Sequence, residues 1–347
     1  MEHSVDFIRP HLRARAAGRV ALYAGVQING APHLGTSVMQ TAAFLLAEAA
    51  RDRFGVPAEL RFGALDNAPY ETRVCPRTGT QYTRSYHHAV GPARIEELVK
   101  RFYGGLFDAL SAATGVPYTV ETYTQQQQVP VFRAEFLASL ASWGLLRWTL
   151  APSSGHVPVS FPCPRCGWLQ KHGEGTELLA ADAGRARFTA VCLGHGCYEA
   201  EVRPDGGTYV GLTTLHRNAV KERLADRDAA LPVIVKGADW AGGCRLLDEA
   251  FLCFPGSVRP PARVFTPVIL SASGAKLSKS LMQEGKADLS PDTPPWMLDA
   301  TRWEGTAEEY ASMLHRLVSL MLSEPRHFER GYTTSEVVRL LGRDGWA

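Results

Sequence analysis

The hydrophobic pattern near the N-terminus predicts a buried strand followed by a long helix. Residues 20–26 form a short apolar run, as expected for a strand of a parallel sheet that is covered on both faces. Residues 37–54 then place apolar side chains at helical spacing, among them Val38, Ala42 and Leu45. A strand that leads directly into a helix is the basic unit of an α/β sheet, so this stretch indicates the fold class.

The turn between this strand and helix contains candidate phosphate-binding residues. The N-terminus of a helix presents unpaired backbone N–H groups and the positive end of the helix dipole, and both favour a bound phosphate. His33 lies at that end and can donate a hydrogen bond to a phosphate oxygen, while Gly25 and Gly35 permit close approach to the backbone. Strand–turn–helix units are also common where nothing binds, so the turn alone leaves nucleotide binding and a purely structural role open.

The rest of the chain continues the alternation of strand and helix patterns. Residues 1–19 predict a basic lead-in helix, and residues 71–90, which are polar and punctuated by glycine and proline, predict a loop. Strands are predicted at 58–65, 118–123, 231–236 and 264–270, and helices at 92–113, 130–146, 244–252, 307–322 and 334–341. This order predicts an α/β fold with a doubly wound, Rossmann-like parallel sheet, built in two halves with an insertion between them.

Composition predicts where the domains begin and end. A Pro/Ser/Gly linker opens the stretch 151–207, which is rich in cysteine and poor in long apolar runs. We expect this stretch to be a zinc-knuckle insertion, because so short a piece could hardly build its own core. Residues 1–150 and 208–280 are then the two halves of the catalytic domain, and residues 281–347 form a short helical C-terminal segment.

Two cysteine-containing turns within the insertion predict a metal site. Two residues separate Cys163 from Cys166, and four separate Cys192 from Cys197, with His195 among them. Cysteine pairs on tight turns that contain Pro or Gly are typical of a tetrahedral zinc site, and four protein ligands leave no open position for catalysis. We therefore expect a structural zinc held by Cys163, Cys166, Cys192 and Cys197, with His195 as the alternative to Cys197.

A second candidate phosphate-binding element is the glycine-led loop 274–280. Only seven lysines occur in the chain, and two of them, Lys276 and Lys279, fall in this loop with Ser278 between them. Two ammonium groups on a loop that begins with glycine are suited to the charge of a triphosphate.

Together, the N-terminal turn and the lysine loop resemble the two signature motifs of class I aminoacyl-tRNA synthetases. Residues 32–36, Pro-His-Leu-Gly-Thr, are similar to the HIGH motif, and residues 276–280, Lys-Leu-Ser-Lys-Ser, are similar to the KMSKS motif. The resemblance implies a Rossmann-like catalytic domain of the HUP type that binds ATP with Mg²⁺, and in which His33, Lys276 and Lys279 act in catalysis. The ATP-binding residues that it implies here are Gly25, His33, Gly35, Thr36, Lys276, Ser278 and Lys279.

Further segments are most similar to the class I lysyl-tRNA synthetases. Residues 66–69 follow a predicted strand, at the sheet edge where doubly wound folds bind ligands, and they resemble the acidic segment of that family. Asp66 is therefore the candidate partner of a substrate ammonium group, and a turn or helix-capping role is the alternative. The zinc insertion also has a similar placement in that family.

The stretch after the strand at 231–236 resembles another motif of the lysyl enzymes. A glycine, a lysine, an aspartate and a histidine occur there where this chain has Gly237, Ala238, Asp239 and Trp240. The resemblance implies that Gly237 and Asp239 contact the adenosine ribose and that Trp240 borders the substrate amino acid. The catalytic cores of methionyl- and cysteinyl-tRNA synthetases are alternative relatives.

Composition and charge restrict the class of protein. The 37 basic and 35 acidic side chains give a net charge of +2, far from the basic excess typical of proteins that coat nucleic acid. No apolar run reaches the roughly 18 residues needed to cross a membrane, and the N-terminus lacks the apolar core of a secretory signal. Seven cysteines without such a signal predict reduced thiols or bound metal, and hence a cytoplasmic protein.

These features predict an enzyme that joins an amino acid to AMP. The carboxylate of the amino acid attacks the α-phosphate of ATP and releases pyrophosphate, and the aminoacyl adenylate then passes to an acceptor. The resemblance ends near residue 285, which leaves too little chain for the anticodon-binding part of the family. We therefore expect a small-molecule amine as acceptor, without tRNA, as in specialised metabolism. The alternatives are a minimal synthetase that charges tRNA without reading its anticodon and a non-catalytic synthetase-like binding protein.

Overall fold

The computed structural model describes residues 3–156, 158–256, 260–277 and 293–342, and it alternates strands and helices along most of that length. The strands are β1 (Val20–Gln27), β2 (Ala58–Leu65), β3 (Pro69–Val74), β4 (Gln81–Ser85), β5 (Tyr118–Thr122), β6 (Val159–Ser160), β7 (Trp168–Gln170), β8 (Glu177–Ala181), β9 (Ala186–Cys192), β10 (Gly196–Arg203), β11 (Gly206–Gly207), β12 (Gly211–Leu212), β13 (Leu231–Gly237), β14 (Ala262–Thr266), β15 (Ile269–Leu270) and β16 (Tyr332–Thr333). The helices are α1 (His3–Asp6), α2 (Ile8–Arg15), α3 (Leu34–Phe54), α4 (Tyr86–Val99), α5 (Gly105–Thr114), α6 (Tyr123–Gln128), α7 (Pro130–Ser139), α8 (Trp143–Leu150), α9 (Thr214–Asp226), α10 (Ala241–Phe251), α11 (Ala307–Leu322), α12 (Pro325–Phe328) and α13 (Thr334–Gly342).

Strand β1 lies at the centre of a five-stranded sheet in which every neighbouring pair is parallel. The strand order is β14-β13-β1-β2-β5, so the chain builds one half outward from β1 and then returns to add β13 and β14 on the other side. Parallel neighbours require crossover connections, which helices supply here. This sheet and its helices have the Rossmann-like α/β form that the sequence predicts, and the strand order switches between β1 and β13.

One face of the sheet is covered by α3, α5 and α11. Phe62 of β2 belongs to this core, in which Phe44 and Phe107 meet edge to face with their ring centroids 5.6 Å apart. The Tyr310 hydroxyl donates a hydrogen bond to Ser37 Oγ at 3.0 Å inside the same core, which fixes α11 against α3. The predicted helix at 307–322 is thus confirmed, and it is part of the support for the sheet.

The other face of the sheet is turned toward α9. Side chains alternate across a strand, so Tyr23, Arg61 and Gly63 lie on the side opposite Phe62. Arg61 donates a hydrogen bond to the Tyr23 hydroxyl at 2.8 Å on this side, and the Lys221 ammonium group of α9 lies over Gly63. Helix α9 therefore forms a wall above the sheet face.

A second core joins the cysteine-rich insertion to helices α7 to α10. Phe161 and Phe188 of the insertion pack with ring centroids 4.6 Å apart, and Phe136 of α7 and Leu247 of α10 belong to the same cluster. The insertion itself contains an antiparallel sheet in the order β11-β10-β9-β8. This core draws side chains from inside and outside residues 151–207, so the insertion packs directly on the helices that follow and precede it.

The prediction of a loop at 71–90 is wrong. This stretch lies mainly in β3, β4 and the first turns of α4, and β4 pairs with β7 of the insertion, with Thr83 opposite Leu169. The side chains of β3 are mostly exposed on both faces, so the strand has no buried apolar face. A strand partner that lies far along the chain decides the structure here, and sequence patterns do not report such a partner.

Other elements also differ from the predicted ones. The helix predicted at 92–113 is divided into α4 and α5 with a π-helical segment at Lys100–Gly104 between them, and the helix predicted at 130–146 is divided into α7 and α8. The strand predicted at 264–270 is divided into β14 and β15. Helix α9 occupies a stretch to which the sequence pattern assigns no element. Within the described ranges, no helix combines the length and the apolar character that crossing a membrane requires.

A buried ion pair fixes α9 in place. The Glu135 carboxylate of α7 is fully buried and accepts a hydrogen bond from Arg223 Nε of α9 at 2.5 Å. Arg227, the residue that follows the last residue of α9, also contacts this carboxylate, but its side chain is 56% exposed. Breaking a buried pair leaves an uncompensated charge in a poorly solvated place, so the pair makes the position of α9 hard to change.

We predict that Arg223→Met lowers the free energy of unfolding by roughly 3 kcal/mol, because the buried Glu135 carboxylate keeps only its partly exposed partner. Arg227→Met is the matched control and should cost less than about 1 kcal/mol, as exposed ion pairs contribute little. Urea unfolding followed by circular dichroism measures both. Equal losses of unfolding free energy in the two variants would contradict the conclusion that the buried Arg223–Glu135 pair holds α9 in place.

Candidate active site

A cavity of about 510 Å³ opens at the carboxyl ends of β1 and β13, where the strand order switches. Its volume lies in the range usual for small-molecule sites, and this edge of a doubly wound sheet is where such sites occur. Parts of the chain that are distant in sequence line it, among them the end of β1, the start of α3, helix α9, the stretch after β13 and the strand-and-turn segment around Lys276. The predicted site residues that line it are Gly25, His33, Gly35, Thr36, Gly237, Asp239, Trp240 and Lys276.

The start of α3 forms one wall of the cavity. His33 is the N-cap residue of the helix, and its carbonyl oxygen accepts hydrogen bonds from the N–H groups of Thr36 and Ser37 at 2.8 and 3.0 Å. The His33 ring lies back over the first turn, with Nε2 3.4 Å from the Thr36 hydroxyl. A Cβ at Gly35 would lie only 3.1 Å from His33 Cε1, so glycine leaves room for the ring at this position. The helix thus directs its positive end and an imidazole into the same space.

An ion pair spans the rim of the cavity. Lys276 Nζ donates to Asp239 Oδ2 at 2.5 Å, which joins the turn after β13 to the segment after β15. A Cβ at position 237 would lie 2.5 Å from Asp239 Oδ1 and would clash with it. Glycine at this position therefore leaves room for the Asp239 carboxylate. Lys276 is itself held by antiparallel bridging to Leu270. Two side chains that the sequence analysis places in the ATP site therefore meet there.

The aromatic and charged side chains next to this pair form the cavity wall below it. Lys236 Nζ lies 4.8 Å from the centre of the Trp240 ring, in a cation–π contact, and 3.9 Å from Glu222 Oε1. Glu222 Oε2 in turn accepts a hydrogen bond from Arg263 at 2.7 Å. Burial lowers the pKa of Lys236, and the Glu222 carboxylate opposes this shift.

The prediction that Asp66 reaches the substrate is not supported by its position. Asp66 is 1% exposed and is not part of the cavity lining. Its Oδ1 accepts a hydrogen bond from the backbone N–H of Thr124 at 3.0 Å, in the first turn of α6. Burial raises the pKa of Asp66. The structure therefore gives Asp66 the helix-terminal role that the sequence left open, and the carboxylates at the cavity wall are Glu222 and Asp239.

Two predicted residues, Ser278 and Lys279, lie outside the described residues, so their roles stay predictions. The sequence analysis also missed side chains that the structure places on the cavity wall, namely Thr214, Arg217 and Lys221 of α9. Their spacing of three and four residues puts them on one face of a helix. The polar residues at this spacing are a signal in the sequence. The signal can be recognised only when residues 214–226 are known to form a helix.

A cluster of candidate metal ligands lies in the insertion. The ligand atoms of Cys163, Cys166, Cys192 and His195 all lie within 4.8 Å of one another. Cys166 Sγ is 3.5 Å from Cys192 Sγ, and His195 Nδ1 is 3.4 Å from Cys163 Sγ. A tetrahedron with zinc–sulfur bonds of about 2.3 Å has edges of about 3.8 Å, so these four atoms fit around one zinc ion.

His195, and not Cys197, stands with the three cysteines, which corrects the ligand set expected first. In the hairpin of β9 and β10, Gly196 is opposite Cys192 and Cys197 is opposite Val191. Adjacent residues of a strand point to opposite faces, so Cys197 points away from the face of Cys192, and it is exposed.

The corrected ligands have a regular pattern in the sequence. Cys163 and Cys166 are followed by Gly167, and Cys192 and His195 by Gly196, so both turns have two residues between ligands and a glycine after the second one. Both glycines have left-handed backbone conformations, with φ of 73° and 71°. This repeated spacing was the signal that favours His195.

Comparisons with known proteins find only distant structural similarity. No protein-family model matches the chain, and no curated protein matches it in sequence. Solved structures that are similar to it include a tryptophanyl-tRNA synthetase from Aeropyrum pernix K1, with a TM-score of 0.44, 14% identity, and coverage of 97% of this chain and 78% of that one. A putative arginyl-tRNA synthetase from Campylobacter jejuni gives a TM-score of 0.37, 11% identity and coverage of 97% and 71%.

A tryptophanyl-tRNA synthetase from Encephalitozoon cuniculi bound to tryptophan gives a TM-score of 0.38, 10% identity and coverage of 98% and 84%. At these values the similarity assigns the chain to no family. The resemblance to lysyl-tRNA synthetases therefore stays a prediction.

We predict about one zinc ion per chain and its loss on Cys163→Ser, because three ligands without the fourth bind zinc weakly. Cys197→Ser is the matched control in the same hairpin and should keep the metal, whereas His195→Ala should lose it. Elemental analysis of the purified variants measures the zinc content. Loss of zinc from the Cys197 variant together with retention in the His195 variant would contradict the ligand set.

Proposed function

We propose that the chain activates an amino acid by transferring AMP from ATP to its carboxylate. The single observation that carries this proposal is the meeting of the α3 N-terminus, His33 and the Lys276–Asp239 pair at one cavity on the switch edge of a parallel sheet. These groups supply a helix dipole, a hydrogen-bonding ring and an ammonium group. Such an arrangement suits the negatively charged phosphates of a nucleoside triphosphate.

Two groups of the chain can act on the phosphates in this reaction. The phosphates of ATP would lie at the first turn of α3, where backbone N–H groups and the His33 ring face the cavity. Lys276, which Asp239 holds at the rim, would stabilise the charge that develops on the departing pyrophosphate. Mg²⁺ would bind with ATP, because phosphate oxygens are its preferred ligands. We propose Lys279 as a second ammonium group for the same charge.

The chemical step needs no nucleophile from the protein. An oxygen of the substrate carboxylate forms a bond to the α-phosphorus of ATP, and the bond from that phosphorus to the bridging oxygen breaks. The products are an aminoacyl adenylate and pyrophosphate. Positioning of the two reactants and stabilisation of charge supply the rate enhancement in phosphoryl and nucleotidyl transfer of this type.

The acceptor of the activated acyl group is proposed to be a small-molecule amine. The amine nitrogen forms a bond to the acyl carbon, AMP leaves with the electrons of the broken C–O bond, and the nitrogen loses a proton. The net charge of +2 supports this choice over tRNA, since neutralising many phosphates requires many Lys and Arg contacts. The alternative acceptor is the 3′ end of a tRNA.

The zinc cluster is proposed to have a structural role. Four protein ligands would close the coordination shell, and the cluster holds together two turns of an insertion with few long apolar runs. Strand β7, which directly follows the first turn, pairs with β4 of the hairpin that follows β2. Zinc would therefore stabilise a sheet that is attached to the catalytic half of the chain.

We predict that Lys276→Ala and Lys279→Ala each slow ATP–pyrophosphate exchange by about 10²-fold, the usual effect of losing one preorganised charge from the transition state. Lys100→Ala, which removes an exposed lysine that does not line the cavity, is the matched control and should leave the rate unchanged. Exchange at the wild-type rate in both loop variants would refute the proposed function.

We predict that activation requires no tRNA, because exchange needs only ATP and an amino acid. The protein is incubated with ATP, labelled amino acids and total tRNA near physiological salt, and a parallel sample is treated with ribonuclease. Label is expected to stay off the RNA fraction. Label that enters this fraction and is released by ribonuclease would overturn the small-molecule acceptor and leave the adenylation step standing.

A further inference from the structure

Among the described residues, the cations at the cavity wall outnumber the carboxylates. Arg217, Lys221, Lys236 and Lys276 line the cavity, and the acidic side chains that line it are Glu222 and Asp239. Lys276 is paired with Asp239, and Lys236 lies 3.9 Å from Glu222. The excess positive charge is therefore located on α9, at Arg217 and Lys221.

Arg217 is a buried cation without an acidic partner among the described residues. Its side chain is 2% exposed, and its Nε atom is buried without a hydrogen-bond acceptor. The guanidinium group lies 5.7 Å from the centre of the Tyr123 ring, and Asp66 acts on it only beyond ion-pair distance. Burial lowers the pKa of Arg217. A guanidinium group in such a place requires an anion for full stabilisation.

Lys221 lies one helical turn further along the same face of α9. Its Nζ atom is 3.0 Å from the position that a Cβ of Gly63 would take, so the missing side chain of Gly63 makes room for the ammonium group above the sheet. In the described part of the chain it makes neither a hydrogen bond nor an ion pair. Burial lowers the pKa of Lys221 to about 8, and the charge of Arg217 contributes to the shift, while Glu121 and Glu222 oppose it.

Two like charges four residues apart on a helix repel each other, and burial strengthens the repulsion. The described part of the chain supplies α9 with an acid for Arg223, namely Glu135, but supplies none within ion-pair distance of Arg217 and Lys221. The difference between these positions is that Arg217 and Lys221 line the cavity and Arg223 does not. An anionic group of a ligand in the cavity would supply the missing counter-charge.

The position of these cations separates them from the proposed phosphate site. The body of α3 packs on the sheet face that carries Phe62, and its N-terminus lies at the sheet edge. Lys221 lies over Gly63, on the opposite face and two residues before the end of β2. The anion that the α9 cations bind is therefore a part of the substrate other than the phosphates.

We propose that the activated amino acid has an anionic side chain, such as that of aspartate or glutamate, and that Arg217 and Lys221 bind its carboxylate. This inference rests on the proposed function, since it names the substrate class of the same cavity. The α-carboxylate of the substrate would face the phosphates, and the side chain would extend over the sheet face toward α9. Arg217 and Lys221 are then specificity-determining residues.

The first test compares amino acids with the wild-type protein. ATP–pyrophosphate exchange is measured with L-aspartate, L-glutamate, L-asparagine, L-glutamine and L-lysine. We expect one of the two acids to give a kcat/KM about 10²-fold above that of its amide, because a site built for a charged group is left with unpaired charge by the neutral analogue. Exchange that is as fast with lysine or an amide overturns the substrate class and leaves adenylation standing. No exchange with any of the twenty protein amino acids overturns the proposed function itself.

The second test uses variants of α9. Arg217→Met and Lys221→Met should each lower kcat/KM for the preferred acid by about 10²-fold and reduce its advantage over the amide, while the Kd for ATP alone, measured by equilibrium dialysis, changes less than about twofold. Arg245→Met, at an exposed position of α10 outside the cavity lining, is the matched control. An equal loss of ATP binding with unchanged amino-acid selectivity would show that the α9 cations bind phosphate and would overturn the proposal.

Discussion

The parallel pairing of β1 with both β2 and β13 determines where the other parts of the molecule can lie. Because β1 is in the middle, the chain must cross over twice, once on the way to β2 and once on the return to β13. The carboxyl ends of these strands then lie side by side, and the turns that follow them are brought together. His33 and Asp239 follow different strands and are far apart in sequence, yet both line the cavity for this reason.

Helix α9 shows how one helix can carry cations with two different purposes. Arg223 is paired with the buried Glu135 carboxylate, so its charge is compensated inside the protein and serves to fix the helix. Arg217 and Lys221 line the cavity, and no described residue forms an ion pair with either of them. The Arg223–Glu135 pair holds α9 in place. A helix held in this way can keep the like charges of Arg217 and Lys221 close together above the sheet.

The insertion is attached to the β3–β4 hairpin through backbone pairing and to helix α7 through packing. Strand β7 extends the β3–β4 hairpin, and Phe161 and Phe188 share a core with Phe136 of α7. The candidate zinc ligands lie at two turns of the same form, one just before β7 and one between β9 and β10 of the neighbouring four-stranded sheet. Loss of metal is therefore expected to affect the insertion first and the cavity only through these shared contacts.

The sequence by itself determined the elements whose patterns are local. The apolar run of β1, the apolar spacing of helices α3 and α11 and the cysteine turns at Cys163 and Cys192 all depend on neighbours within a few residues, so their periodicity and spacing are visible in the chain. The glycine at position 35 and the lysine at position 276 were recognisable for the same reason.

The tertiary structure decided what depends on distant partners. Strand β3 has mostly exposed side chains and is a strand because it pairs with β4, which in turn pairs with β7. Asp66 was placed at the right edge of the sheet, but the packing of α6 turns it to the Thr124 N–H and away from the cavity. Strand alternation excludes Cys197 from the cluster of candidate metal ligands. Arg217 is buried beside the cavity without an acidic partner among the described residues. Each of these outcomes follows from long-range burial and pairing, which a local pattern does not encode.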